Sequence, residues 1–150
     1  IINGVRKSRS AVNLALNRPI VSSGATAPAY AEKNANDGFT NTYWESINRK
    51  FPAYLILDLG IVQSVGKIIL KLPPSWERRI QNIALQGSAD NQKYETILDA
   101  AQYTFDPATK NTVTITFAET RIRYLKLTFN ENTAWPAGQV AELEVLPGSK

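Results

Sequence analysis

The sequence predicts an all-β fold, an antiparallel β-sandwich or jelly roll of about eight strands. Three observations carry that reading. Short runs rich in Val, Ile, Leu and aromatic residues recur along the chain, several alternating apolar with polar as half-buried strands do. Turn chemistry separates them: Pro-Pro, Asp-Asn, Asp-Pro and isolated Gly. No stretch carries the apolar period of a convincing amphipathic helix, and no internal repeat is present.

Each element follows in order. Residues 1–10 read as an irregular lead-in. Residues 13–23 (NLALNRPIVSS) form a short extended segment whose Pro19 suits an edge position. Residues 24–45 are loop-rich, with Pro28 and Gly38, and a loop that long in a compact domain is usually functional or disordered. A strand spans 54–60, closed by Gly60, and a second spans 63–72 (QSVGKIILKL), stopped by Pro73-Pro74. Residues 79–88 (RIQNIALQGS) alternate through Ile80, Asn82 and Ala84 and then slip, as a strand with a bulge does. After a turn at Asp90-Asn91, residues 94–98 form another strand. Turn chemistry at 106–111 (DPATKN) leads into 112–117 (TVTITF), whose apolar side chains alternate. Residues 121–129 (RIRYLKLTF) put apolar groups on one face and Arg and Lys on the other, and 140–146 (VAELEVL) is the last strand. The expected domain is 11–147, followed by a tail at 148–150.

Composition narrows function. At 150 residues and 43% hydrophobic, the chain fits one domain with a sizeable core. It contains no Cys, Met or His. That excludes disulfides, a thiolate nucleophile, a cysteine zinc site, and both the Ser-His-Asp and Cys-His arrangements within this chain. Any catalysis would rest on carboxylates, Lys or Tyr. The net charge of +4 makes nucleic acid or acidic lipid worth weighing. However, Arg6, Lys7, Arg9 and Arg18 sit near the N-terminus and read as a solvated linker end. No helix-turn-helix, zinc-finger or RNA-recognition pattern appears, so no nucleic-acid partner is expected. With no signal peptide and no membrane-length apolar run, the chain reads as an excised module.

The stretch 34–45 (NANDGFTNTYWE) is a polar, Gly-centred turn ending in two aromatics and an acid. Asp37 and Thr42 can wrap a hard cation with side-chain oxygens and intervening carbonyls, and Gly38 allows the bend. A solvated loop with an Asx-turn at Asp37-Gly38 fits the same residues. The alternating acids of an EF-hand loop are missing. Trp44, between this loop and the first long strand, reads as core.

Taken in order, several short motifs resemble the discoidin, or coagulation factor V/VIII type C, superfamily. They are Asn13-Leu14-Ala15-Leu16-Asn17-Arg18-Pro19, then Ala35-Asn36-Asp37-Gly38 with Thr42-Tyr43-Trp44, and Leu57-Asp58-Leu59-Gly60. Gly87-Ser88-Ala89-Asp90, Arg123-Tyr124-Leu125-Lys126-Leu127 and Val140-Ala141-Glu142-Leu143-Glu144-Val145 continue the series. Within that superfamily the chain is most similar to bacterial carbohydrate-binding modules of family 32, accessory domains of secreted glycoside hydrolases. The resemblance implies an eight-stranded jelly roll without catalysis that binds sugar through loops at one end. It also implies one structural Ca²⁺ held by Asp37, Thr42 and Glu142, with backbone candidates at Asn34, Thr40 and Ala141.

A sugar site needs an aromatic face for the C–H side of the ring and planar polar groups for hydroxyls, in a concave setting. Loops at 30–32, 45–49, 73–79 and 130–136 offer both. Their candidates are Tyr30, Glu45, Trp76, Glu77, Arg78, Arg79 and Trp135. The family pattern of acid, Arg and aromatic maps onto Glu45 (or Glu32), Arg78 or Arg79, and Trp135. Trp76 or Trp135 closing the sandwich ends, and Glu77 with Arg78 as a solvated ion pair, are the plain structural alternatives. The His of galactose-binding members has no counterpart, which favours a glucan or amino-sugar polymer over galactose. Expected partners are polysaccharide or oligosaccharide and a parent glycoside hydrolase domain, for a secreted bacterial monomer that does not engage membranes. Two other classes are a lipid- or protein-binding adhesion domain of discoidin type, and a glycosidase pairing Glu45 with Glu77.

Overall fold

The computed structural model describes residues 12–148. Eight strands follow in chain order: β1 (Ile20–Ser22), β2 (Trp44–Glu45), β3 (Ala53–Lys71), β4 (Arg79–Ser88), β5 (Glu95–Phe105), β6 (Thr112–Asn132), β7 (Gln139–Val140) and β8 (Glu142–Pro147). The helical pieces among the described residues are short 3-10 turns at Pro28–Tyr30, Glu32–Asn36 and Pro107–Thr109. No helix among these residues is long and apolar enough to cross a membrane.

The two long strands, β3 and β6, organise the sandwich because each serves both layers. The first half of β3 pairs with the second half of β6, from Ala53↔Phe129 to Asp58↔Tyr124. Beyond a register break, the second half of β3 pairs with the first half of β6, from Gln63↔Ile122 to Lys71↔Thr112. One layer is therefore β1-β3-β6-β4-β5, and the other is β6-β3-β8. All these pairings are antiparallel. Leu55, Leu57 and Leu59 on β3 and Leu125, Leu127 and Phe129 on β6 point into the core with Ile68, Leu70, Leu143 and Val145. Each such side chain contributes about 1.5–3 kcal/mol by burial.

Several expectations change. The predicted strands 54–60 and 63–72 are one strand, as are 112–117 and 121–129. Gly60 marks a bend rather than an end: its φ is +93°, and the β3–β6 ladder resumes at Gln63. β4 does not bury Ile80, Asn82 and Ala84. Its inward set is Arg79, Gln81, Ile83, Leu85 and Gly87, alternating until Ser88 is buried as well, and the irregularity the slip implied is present as register shifts against β5 and β6. Only Ile20–Ser22 of the 13–23 segment is strand, and it lies at the edge that Pro19 suggested. The strand predicted at 94–98 runs on to Phe105, and the last strand is interrupted at Ala141. Trp44 is core: it is fully buried, its indole N–H donates to the Gly24 carbonyl, and its ring lies 5.5 Å from Phe129. The lead-in 1–10, with Arg6, Lys7 and Arg9, and the last two residues of the tail lie outside the described residues.

Candidate functional site

At one end of the sandwich the small β2–β7 pair sets Glu45 opposite Gln139. Both side chains are buried, so their polar atoms need partners. Gln139 supplies most of them. Its Nε2 donates to Glu45 Oε1 (2.9 Å), while its Oε1 accepts from Arg79 Nη1 (2.8 Å) and Asn132 Nδ2 (3.0 Å). Its backbone N–H and carbonyl are both taken by the Gln81 amide (3.0 and 2.9 Å). This explains why β4 starts with two polar residues facing inward. Arg79 and Gln81 continue the buried face of Ile83 and Leu85, and Gln139 meets them there.

Aromatic rings wall this network. The Arg79 guanidinium lies 4.6 Å from the centre of the Trp76 ring. Trp76 meets Tyr43 edge-on at 4.6 Å, and Tyr43 stacks on Tyr30 at 4.8 Å. Burial pushes the Arg79 pKa below the usual guanidinium range, with Glu77 and Glu45 opposing that shift. Burial, followed by the Tyr30 hydroxyl, pushes Tyr43 up to about 12, which keeps it a neutral hydroxyl. Across the site, Trp135 is 47% exposed and its indole N–H donates to Glu45 Oε2 (3.1 Å). Asn132 fixes that loop by accepting from the backbone N–H of Ala134 (2.9 Å) and Trp135 (3.3 Å).

Most of these groups line an open cavity of about 490 Å³. Tyr43, Trp76 and Trp135 present aromatic faces, Glu45 and Glu77 present carboxylates, and Arg79 lies beside the buried Gln139. The combination of ring faces with fixed acceptors and donors suits a polyhydroxylated ring. Five predicted residues, Glu45, Trp76, Glu77, Arg79 and Trp135, meet here. Three do not. Tyr30 supports Tyr43 from behind rather than lining the cavity. Arg78, expected to contact sugar, points away, 58% exposed, with its Nε 3.9 Å from Asp106, and the alternative Glu77–Arg78 ion pair is not made either. Glu32 accepts from the Ser22 hydroxyl (2.9 Å) instead. Sequence reasoning missed Tyr43 and Gln139. An aromatic beside Trp44 was a usable signal for the first, and nothing local marked the second.

Three of the cation candidates, Asp37, Thr42 and Glu142, lie in one neighbourhood. Glu142, first residue of β8, is 3% exposed, and both its oxygens accept from the Gly38 N–H (3.0 and 3.1 Å). Thr42 Oγ1 donates to Asp37 Oδ2 (2.6 Å), and Asp37 Oδ1 accepts from the Phe39 N–H (3.0 Å), which is the Asx-turn the sequence also allowed. Burial, with Asp37 close by, pushes the Glu142 carboxyl up to about 8. A buried acid with a single N–H donor, facing a second acid and a hydroxyl, fits a hard cation. Among the described residues no three acidic side chains come together, so the remaining ligands would be neutral oxygens. Asn34 uses its side-chain N–H groups on the carbonyls of Ala29 (2.9 Å) and Tyr43 (3.1 Å). Its side-chain amide therefore braces the loop, leaving the backbone carbonyls of Asn34, Thr40 and Ala141 as the neutral candidates.

Comparison with known proteins places the fold. The F5/8 type C domain family model matches residues 19–143. No curated protein sequence matches the chain. Among solved structures, chitosan-binding module 1 of a chitosanase/glucanase from Paenibacillus sp. IK-5 superposes with a TM-score of 0.75 at 21% identity, covering 89% of this chain and 98% of that one. Chitosan-binding module 2 of the same enzyme, solved with chitotriose, gives 0.69 at 24% identity, covering 89% and 99%. A pectin-binding carbohydrate-binding module gives 0.75 at 20% identity, covering 90% and 97%. At these identities the likeness is one of fold.

Proposed function

Because the chain belongs to the F5/8 type C domain family, we propose that it is a non-catalytic carbohydrate-binding module that tethers a secreted bacterial glycoside hydrolase to polysaccharide. One observation carries the proposal: three aromatic faces and two carboxylates converge on one open cavity braced by the Arg79–Gln139–Glu45 network. The polymer is a glucan or an amino-sugar polymer rather than a galactan. Two carboxylates against one guanidinium leave the cavity with a net negative charge, and the Arg79 guanidinium is already engaged by Gln139, the Glu77 carbonyl and the Trp76 ring. A sugar carrying an ammonium group suits that balance better than a uronic acid. The chain also has no His to contribute to a galactose site. The structural neighbours include chitosan-binding and pectin-binding modules, so they support a polysaccharide ligand, and the choice of an amino sugar rests on the charge of the cavity.

A shallow polar site exchanges water hydrogen bonds for protein ones, so affinity for one chain end is expected at roughly 10⁻⁵ to 10⁻³ M. Function then comes from the tether, which raises the local concentration of the attached enzyme at the polymer.

A glycan array on the folded domain, with pull-down on insoluble glucan, chitosan and galactan, tests this reading. Retention on glucan or chitosan and none on galactan is expected. A blank array, flotation with anionic vesicles, or release of reducing ends by the domain itself would each overturn it. Arg78→Ala is expected to leave binding within about twofold, because an exposed ion pair contributes at most about 1 kcal/mol and lies off the cavity. Titration calorimetry reads that directly, and a tenfold loss would move the site toward Asp106.

A further inference from the structure

We propose that Asn111 is a positioning residue for this site, setting Trp76 in the cavity through the 73–76 loop; the proposal rests on the carbohydrate reading above. Asn111 closes the turn between β5 and β6, at a left-handed φ of 53° that Asn tolerates. It is fully buried among largely exposed turn residues, and it does not line the cavity.

Its backbone and side chain both hold the loop that carries Trp76. The Asn111 carbonyl accepts from the Leu72 N–H (3.1 Å). Its Nδ2 donates to the carbonyls of Pro73 (2.9 Å) and Trp76 (3.0 Å), with that of Pro74 farther off at 3.4 Å. The loop needs an outside donor because Pro73 and Pro74 have no N–H of their own. Its one internal bond runs from the Trp76 N–H to the Pro73 carbonyl (3.0 Å). Asn111 Oδ1 is buried with no partner among the described residues, so the amide is oriented by its donor side alone. The loop it fixes delivers Ser75, Trp76 and Glu77 to the cavity and places the Trp76 ring between Tyr43 and Arg79.

The experiment separates positioning from bulk stability. Asn111→Gly keeps the left-handed backbone accessible and removes the amide. It is expected to weaken binding of a glucosamine trisaccharide about tenfold in the wild-type background and to have no effect on binding in a Trp76→Ala background. A purely structural role would give additive losses, and additivity overturns the proposal. A second readout needs no sugar. In a ¹⁵N spectrum of the indole N–H groups, Asn111→Gly should shift the Trp76 signal and leave those of Trp44 and Trp135 in place. An unmoved Trp76 signal overturns the proposal whether or not sugar binds. If the trisaccharide fails to bind wild type, the amino-sugar reading falls and the spectrum alone decides Asn111. Should Asn111→Gly not fold, Asn111→Asp preserves shape while turning a donor into an acceptor, and it is held to the same two outcomes.

Discussion

Trp135→Ala is expected to weaken binding of a glucosamine trisaccharide by roughly thirtyfold or more, about 2 kcal/mol, while the melting temperature moves by only a few degrees. The two effects separate because of where the side chain lies. Trp135 is on the loop after β6, with nearly half its surface in water, so its removal opens no core cavity. The bond it loses, from its indole N–H to Glu45 Oε2, is worth about 0.5–1.5 kcal/mol net. The binding site, by contrast, loses one of its three ring faces and one of the two donors that orient the Glu45 carboxylate. Trp135→Phe keeps a ring and drops only the N–H, so it should fall between wild type and Ala. Arg79→Ala is the poorer test. It removes a buried guanidinium, strips Gln139 Oε1 of its shortest donor and uncovers Trp76, so lost binding and lost stability arrive together. If Trp135→Ala binds within about twofold of wild type by calorimetry, the sugar lies elsewhere.

Which features were legible in the sequence follows from the range of the interactions that set them. Alternation is local, so the core of β3 and β6 was readable from Leu55, Leu57, Leu125 and Leu127. The bends were not, because Gly60 with a left-handed φ looks the same whether a strand stops or turns into the second layer. β4 misled for a related reason. Pattern reading assigns the inward face to Ile80, yet the buried positions belong to Arg79 and Gln81, which are satisfied by a residue some sixty positions away. The choice between Arg78 and Arg79 was in principle decidable. Adjacent strand residues face opposite sides, and Arg79 shares parity with Ile83 and Leu85. β2 and β7 are two residues each, too short for any period to show, and they are what brings Glu45 to Gln139. Asn111 sat inside ordinary turn chemistry and gave no sign of its burial. The meeting of Asp37 with Glu142 was legible only through the order of motifs, since no local pattern joins an early loop to the last strand.

We propose that Asp37, Thr42 and Glu142 hold one structural Ca²⁺, so adding a chelator to the domain in calcium is expected to lower its melting temperature by about 10 °C. A ligand at a thousandfold excess over its Kd stabilises by about 4 kcal/mol, and a chain of this size shifts roughly 2–4 °C per kcal/mol. The gain is large because the ion would join the two ends of the described chain, where Glu142 on β8 already accepts from Gly38 in the early loop. Asp37→Ala should abolish the calcium effect outright. Glu142→Gln gives the sharper test, because its destabilisation should appear only in calcium. In calcium the variant lacks a charged ligand and should melt well below wild type. In chelator it should melt no lower, since the amide oxygen still accepts from Gly38 while the buried acid beside Asp37 is gone. Differential scanning calorimetry of the two proteins in both conditions reads that difference. An unchanged wild-type transition on chelation would remove the calcium assignment, and a Glu142→Gln variant equally destabilised in both conditions would make Glu142 a hydrogen-bonding anchor for Gly38 rather than a ligand.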